Sequence, residues 1–255
     1  REAVGLATRE GLPVMYVTED TTRARPEDAR ALYTAAVEAG ARRICIADTV
    51  GHATPEGARN LVRFLREVVD DMREDVAVDW HGHNDRGLGL ANAIAAAEAG
   101  ADRLHGTILG IGERVGNCAL DQMLVNFELF GWSHWNLQPL SGLCALVSRA
   151  TGVAIPESYP VFGRDAYRTQ TGVHAAAILK ARAKGHDWLA DRVYSGIPAA
   201  MVGRRQEVEV GPMSGQANVT CWLQERGIES SPSLVQAIFQ AAKESTAVLS
   251  EERLL

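Results

Sequence analysis

The stretch Val76-Ala-Val-Asp-Trp-His-Gly-His-Asn-Asp85 is the segment from which the predicted fold is built outward. Its apolar beginning predicts a β-strand, along which successive side chains point to opposite faces. Asp79, His81 and His83 then share one face. Two imidazoles about 7 Å apart on one strand face can bind the same divalent cation, and neutral imidazole suits zinc, manganese and iron. The alternative is a strand end whose histidines only hydrogen-bond to loops. The Asn84-Asp85-Arg86 run that follows favours the metal site.

Short apolar strands that end in polar residues and lead into helices recur on both sides of this stretch. Such alternation, at about 30-residue spacing, predicts parallel strands joined by helical crossovers. The polar clusters fall at the carboxyl ends of the strands, where (β/α)8 barrels and open α/β sheets place their sites. Four such units amount to half of a barrel. The predicted strands are 12–17, 43–47, 76–81 and 104–109, and the predicted helices are 26–39, 54–72, 88–99 and 119–130.

The pattern changes after Gly131, where the alternation of strands and helices stops. The segment 193–216 is rich in loop-forming residues, and the rest of this region is predicted to be helical. We therefore divide the chain into residues 1–131, the second half of a barrel catalytic domain, and residues 132–255, a helical linker with C-terminal subdomains. The helices predicted here are 140–151, 173–184, 218–225 and 233–244.

Composition narrows the class of protein. The 255 residues are 46% hydrophobic and 23% charged, which is typical of a globular protein. The net charge of −6 offers no basic field, so we expect no nucleic-acid partner. No apolar run approaches the ~18 residues that span a bilayer, and we expect no signal peptide. The four cysteines have no C-x-x-C spacing, which indicates reduced core residues in a cytoplasmic protein.

The glycine-rich segment Gly110-Ile-Gly-Glu-Arg-Val-Gly-Asn117 follows a predicted strand and precedes a predicted helix, as a dinucleotide-binding loop would. Its glycine spacing is one residue too long for that motif. Glu113 and Arg114 would also crowd a pyrophosphate. An oxygen ligand from Asn117 beside the histidine strand fits better, with Glu113 and Arg114 holding the neighbouring segments in place.

Two other strand ends carry candidate site residues, each with a simpler alternative. Glu19 is a candidate base or proton shuttle, or else a carboxylate that pairs with Arg23. Thr49 can donate a hydrogen bond to a substrate carboxylate, or it is a turn former. We expect Asp48 to pair with a basic neighbour and assign it no chemistry.

Together these segments resemble the metal-dependent acyl-CoA Claisen condensation enzymes built on a TIM barrel. This family includes the 2-isopropylmalate, homocitrate and citramalate synthases, with 3-hydroxy-3-methylglutaryl-CoA lyase as a relative. The H-x-H-N-D segment and the G-x-G-E-R-x-G-N loop are its specific motifs, and the other segments support them. The matching segments are 81–85, 110–117, 18–23, 48–51, 171–174 and 213–219.

The resemblance implies a role for each barrel residue at the predicted site. His81 and His83 would be metal ligands, with Asn117 at or beside the coordination sphere. Thr49 would bind the carboxylate of a 2-oxo acid, and Glu19 would belong to the catalytic acid–base set. The implied cofactor is one divalent metal ion (zinc, manganese or magnesium), with acetyl-CoA as co-substrate.

The resemblance also implies a homodimer. In the synthases a histidine and a tyrosine from the C-terminal region of the partner subunit complete the site. The corresponding residues here are His174 and Tyr194, the latter placed by its spacing before Val202-Gly203-Arg204.

The family's first barrel strand carries an Arg-Asp pair, in which the aspartate is a metal ligand, and this chain has no counterpart of that strand. The expected fold is therefore α/β, the C-terminal half of a (β/α)8 TIM barrel followed by a mainly helical C-terminal region, with the missing N-terminal half of the barrel as a partner. The best single expectation of function is a 2-isopropylmalate synthase acting on 2-oxoisovalerate in leucine biosynthesis. The alternatives are a homocitrate or citramalate synthase, a hydroxyacyl-CoA lyase of the same superfamily, or an inactive fragment that needs a partner chain.

Overall fold

The computed structural model describes residues 1–72 and 75–254. The chain divides into two compact units, Arg1–Phe130 and Gly131–Leu255. Four parallel strands in the order β1-β2-β3-β4 form the sheet of the first unit in its described residues. Its strands are β1 (Met15–Val17), β2 (Arg43–Asp48), β3 (Ala77–Gly82) and β4 (Arg103–His105), and its α-helices are α1 (Glu2–Arg9), α2 (Pro26–Glu38), α3 (Pro55–Asp70), α4 (Gly89–Glu98) and α5 (Leu120–Leu129).

Local sequence signals set the ends of these helices. Helix α2 begins with proline at its first position and carries Glu27 and Asp28 in its first turn, where they complement the helix dipole. Helix α3 begins after Thr54, whose hydroxyl accepts a hydrogen bond from the N–H of Gly57 at 3.1 Å. Gly40 follows α2 with φ of 112°, a conformation that favours glycine. These signals account for helix bounds close to the predicted ones.

The two faces of the sheet have different environments. Ile44, Ile46 and Trp80 are fully buried in the core formed with the helices. Residues on the opposite face alternate with them, and include Asp79 and His81 of β3. These polar side chains therefore lie on the face of the sheet that points away from the helices, which in a barrel is the interior face.

Strand β4 is shorter than the predicted strand 104–109. After His105 the chain turns away, because the N–H of Thr107 donates to the carbonyl of Cys118 at 3.0 Å. A 3-10 turn at Ile108–Gly110 follows, with Leu109 at φ of 61°. Pairing with a segment that comes later in the chain thus ends the strand early and brings the glycine-rich loop against β3.

The second unit is mainly helical, with one short sheet. The sequence predicts loops over 193–216, but Glu207–Val208 pairs in parallel with Arg168–Thr169. Its strands are β5 (Arg168–Thr169) and β6 (Glu207–Val208), and its α-helices are α6 (Leu140–Thr151), α7 (Gly172–Ala183), α8 (Asp187–Ala190), α9 (Gln216–Glu225), α10 (Pro232–Glu244) and α11 (Glu251–Leu254).

The structure also bears on two expectations from composition, the lack of a membrane-spanning helix and the burial of the cysteines. Among the helices in the described parts of the chain, none combines the length and apolar character needed to cross a bilayer. All four cysteines are buried, as expected for core residues. Burial raises the pKa of Cys45, Cys118 and Cys221 to about 12, so these thiols stay protonated at neutral pH.

Candidate metal centre and active site

The two histidines of the central stretch lie together at the carboxyl end of β3. Their ring centroids are 5.3 Å apart, with the planes at 75°. His83 is only 8% exposed. Its N–H donates to the carbonyl of Asp48 at 3.1 Å, which ties the end of β3 to the end of β2. The strand alternation that placed both imidazoles on one face therefore holds in the folded chain.

Asn117 lies directly beside His83, and the two residues form an isolated antiparallel bridge. The amide nitrogen of Asn117 is 3.3 Å from Nε2 of His83. Its oxygen lies over Gly112, where an added Cβ would come within 2.0 Å of it. The glycine spacing thus makes room for this side chain. For Asn117 to supply an oxygen ligand, its side-chain amide must rotate so that the oxygen and the nitrogen exchange places.

The donor set is compatible with a divalent cation but does not complete a site. Nδ1 of His83 is buried without a hydrogen-bond partner, and this nitrogen can coordinate a cation in the tautomer that carries its hydrogen on Nε2. Burial, followed by the neighbouring imidazoles of His105 and His83, lowers the pKa of His81 and favours the neutral ring that binds metals. Within the described residues, no group of three or more His, Cys, Asp or Glu side chains could hold a metal ion.

The loop after β2 is organised by the buried carboxylate of Asp48. The expectation that Asp48 pairs with a basic neighbour is wrong. Its Oδ1 accepts from the hydroxyl of Thr22 at 2.9 Å and from the N–H of His52 at 2.8 Å. The N–H of Ala53 donates to the same oxygen at 3.2 Å. Neutral donors therefore satisfy this carboxylate and fix the loop that carries Thr49.

Thr49 connects the ends of β1 and β2. Its hydroxyl oxygen accepts from the N–H of Asp20 at 2.7 Å, which leaves the hydroxyl hydrogen available to donate. Arg114 holds the same loop, because its Nη2 donates to the carbonyl of Thr49 at 2.6 Å. The guanidinium also binds Asp85 at 2.8 Å and lowers the pKa of that carboxyl group. Arg114 thus fastens the glycine-rich loop to both strand ends, whereas the side chain of Glu113 is 85% exposed.

Glu19 is exposed at the end of β1. The alternative that Arg23 pairs with Glu19 is not what the fold shows. Arg23 pairs with Asp20 instead, at 2.7 Å, and this hydrogen bond lowers the pKa of Asp20. Asp20 adopts a left-handed conformation with φ of 58°, which an aspartate tolerates better than most residues. The carboxylate of Glu19 is consequently left at the surface of the C-terminal edge of the sheet.

His174 and Tyr194 lie together within the second unit. Their rings stack with centroids 3.7 Å apart and planes at 26°. Nδ1 of His174 is 3.1 Å from the hydroxyl oxygen of Thr169. Tyr194 is 47% exposed. The family resemblance, with the spacing before Val202, suggested Tyr194, and the fold places its ring against that of His174.

Sequence reasoning missed His105 and left Asp79 without a role. Nε2 of His105 is 3.1 Å from Oδ2 of Asp79, and its ring centroid is 5.5 Å from that of His81. The signal that could have found it is the register of β4 against β3, which places His105 opposite His81. That register depends on strand pairing and is not visible in the spacing along one strand.

The chain is similar to several known proteins. The model of the HMGL-like family matches residues 1–147. The chain is 35% identical over 245 residues to a probable 2-isopropylmalate synthase of Methanopyrus kandleri, covering 95% of this chain and 46% of that protein. It is 34% identical over 244 residues to the homocitrate synthase AksA of the same organism, covering 95% of this chain and 58% of that protein. The chain thus spans about half the length of the curated relatives it matches.

A solved structure of hydroxymethylglutaryl-CoA lyase from Pseudomonas aeruginosa is similar, with a TM-score of 0.53 and 17% sequence identity. The similarity covers 60% of this chain and 54% of that chain. At this identity it concerns the fold alone. Together with the parallel sheet, it confirms the predicted fold class, part of a TIM barrel followed by a helical region.

Proposed function

This chain belongs to the HMGL-like family, and from that premise we propose that the protein is an acyltransferase that condenses acetyl-CoA with a 2-oxo acid to give a 2-alkylmalate-type product. The observation that carries the proposal is the cluster of His81, His83 and Asn117 at the carboxyl end of β3. The synthase names of its relatives support the reaction class.

We assign the cation-binding role to His81 and His83, with the amide of Asn117 beside them. A divalent ion (zinc, manganese or magnesium) held there would polarise the keto group of the 2-oxo acid and stabilise negative charge that develops on its oxygen. Imidazole donors suit zinc, and oxygen donors suit magnesium and manganese. A carboxylate ligand from the remaining barrel strands would complete the set.

Substrate positioning is assigned to Thr49. Its hydroxyl hydrogen is available because the oxygen already accepts from the N–H of Asp20. A hydrogen bond to the substrate carboxylate is the expected use of such a donor. Asp48 and Arg114 would keep this hydroxyl in place, since both fix the loop that carries it.

Proton transfer is assigned to Glu19, His174 and Tyr194. A base removes a proton from the methyl group of acetyl-CoA, and the resulting carbon attacks the keto carbon of the 2-oxo acid. One carbon–carbon bond forms, the carbonyl π bond breaks, and its oxygen takes up a proton. Water then cleaves the thioester and releases coenzyme A as a thiol, which makes the condensation irreversible.

We propose that the working enzyme is a homodimer in which His174 and Tyr194 serve the site of the partner subunit. The stacking of these rings at 3.7 Å supports a joint role, since each orients the other. We also propose that four further βα units complete the barrel around β1 and β4, which form the two edges of the described sheet. Unpaired strand edges favour such an addition.

Among the possible 2-oxo acids we propose 2-oxoisovalerate, which would make the protein a 2-isopropylmalate synthase of leucine biosynthesis. The relative with that name supports this substrate. The homocitrate synthase, similar to nearly the same degree, supports homocitrate synthesis as the alternative.

The test is release of coenzyme A thiol from acetyl-CoA by the full-length protein, with manganese and a panel of 2-oxo acids. We expect release to depend on one 2-oxo acid and to be lost in His81→Ala. His52→Ala is the matched control, because His52 is exposed and carries none of the assigned roles. Thiol release that is equal with and without every 2-oxo acid would refute the condensation.

A further inference from the structure

The sheet face that points away from the helices, here called the inner face, carries further polar side chains beside the two candidate ligands. We propose that Asp79 and His105 are positioning residues that fix the imidazole of His81 for cation binding. This inference rests on the proposed function, because it takes His81 to be a metal ligand. It adds two residues whose task is to orient that ligand.

The sheet register puts these side chains side by side. His81 of β3 pairs with His105 of β4, and Asp79 of β3 pairs with Arg103. On the other side, Cys45 of β2 pairs with Asp79. Registered neighbours in a parallel sheet present their side chains to the same face, at the ~4.8 Å spacing of adjacent strands. His105 is therefore the direct neighbour of His81 on the inner face.

Asp79 is a fully buried carboxylate whose two oxygens are both occupied. Oδ1 accepts from the guanidinium of Arg43, and Oδ2 is 3.1 Å from Nε2 of His105. Arg103 approaches Oδ2 at 3.9 Å. A carboxylate accepts and does not donate, so Nε2 of His105 carries the hydrogen of this bond. Asp79 thereby sets both the tautomer and the ring plane of His105.

The second nitrogen of His105 is also engaged. Nδ1 lies 3.9 Å from Sγ of Cys45, a buried thiol. Nε2 of His105 is held by Asp79 and is therefore not available as a ligand. What it offers to the site is its ring surface.

That ring forms a wall beside His81. The centroids of His105 and His81 are 5.5 Å apart, with the planes at 68°, and those of His83 and His81 are 5.3 Å apart, with the planes at 75°. These two edge-to-face contacts limit the orientations open to the His81 ring. Fixed orientation of a ligand improves cation binding because less order has to be imposed when the ion arrives.

The test measures binding of manganese alone to the full-length protein by electron paramagnetic resonance. His105→Ala removes the ring that lies beside His81 and should weaken manganese binding about tenfold, the lower end of the range for residues that support metal ligands. His105→Gln keeps a donor toward Asp79 but removes the ring, and should fall between the wild type and His105→Ala. His52→Ala is the control and should bind as the wild type does.

Absorption spectra of the cobalt-loaded variants give a second readout. A misoriented imidazole should shift the d–d bands in His105→Ala, whereas a purely structural effect would lower only the unfolding temperature. If either His105 variant is folded and binds manganese as tightly as the wild type, the positioning role is refuted. If His81→Ala and His83→Ala also bind normally, the metal site of the proposed function fails with it. If only those two lose binding, the metal site stands without the positioning role.

Discussion

Replacing Asp48 with alanine tests how the loop that carries Thr49 is held. The carboxylate is completely buried. Its three shortest hydrogen bonds come from the Thr22 hydroxyl and from the N–H groups of His52 and Ala53, at 2.9, 2.8 and 3.2 Å. Asp48→Ala leaves these three donors without their acceptor and creates a small cavity at the end of β2.

The magnitude follows from those three donors. A hydrogen bond to a charged group contributes about 1.5–3 kcal/mol, and a buried donor left unsatisfied costs about 1–3 kcal/mol. Water that enters the cavity would satisfy part of the donor set. We therefore expect Asp48→Ala to lower the free energy of unfolding by about 4 kcal/mol, a large share of the roughly 5–15 kcal/mol of a typical domain.

Urea unfolding followed by circular dichroism measures this loss. With a denaturant dependence of about 2 kcal/mol per molar urea, the midpoint should fall by about 2 M. Amide hydrogen exchange gives the local readout, because the N–H groups of His52 and Ala53 should lose protection. Asp28→Ala is the matched control, since Asp28 is an exposed partner of Arg25 and should cost less than about 1 kcal/mol.

The reasoning is refuted if Asp48→Ala unfolds at the same urea concentration as Asp28→Ala. It is also refuted if the N–H groups of His52 and Ala53 remain protected in Asp48→Ala. Either result would mean that the carboxylate does not hold the loop, and that the order of this strand end comes from elsewhere.

Two further predictions concern the glycine-rich loop and the buried thiols. Gly112→Ala puts a Cβ within 2.0 Å of the Asn117 amide oxygen, so manganese affinity measured by calorimetry should fall at least about tenfold. Gly142→Ala, with no atom within 4 Å of the added Cβ, should leave that affinity unchanged. Burial raises the pKa of Cys45 and Cys118 from 9.0 to about 12, which reduces the thiolate fraction at pH 8 roughly a thousandfold. Iodoacetamide at pH 8 should therefore modify them only after unfolding, as mass spectrometry would detect, and rapid labelling of the folded protein would contradict their burial.

Local sequence determined most of the helices of this protein and part of its candidate site. Helix α2 begins at its proline, and α3 begins after its threonine cap, because capping and hydrophobic periodicity act over a few residues. The common face of His81 and His83 follows from the alternation of a single strand. Each of these features depends on neighbours in the chain, so spacing was enough to predict it.

Tertiary structure alone decided the remaining features. His105 reaches His81 through strand register, and the Thr22 hydroxyl reaches Asp48 from a different strand end. Arg23 pairs with Asp20 and not with Glu19, because the left-handed turn at Asp20 brings the Asp20 carboxylate to the guanidinium. Such contacts join groups that are far apart in sequence or depend on backbone direction in a turn. Those distances are fixed only when the chain is packed, so residue type and spacing cannot predict them.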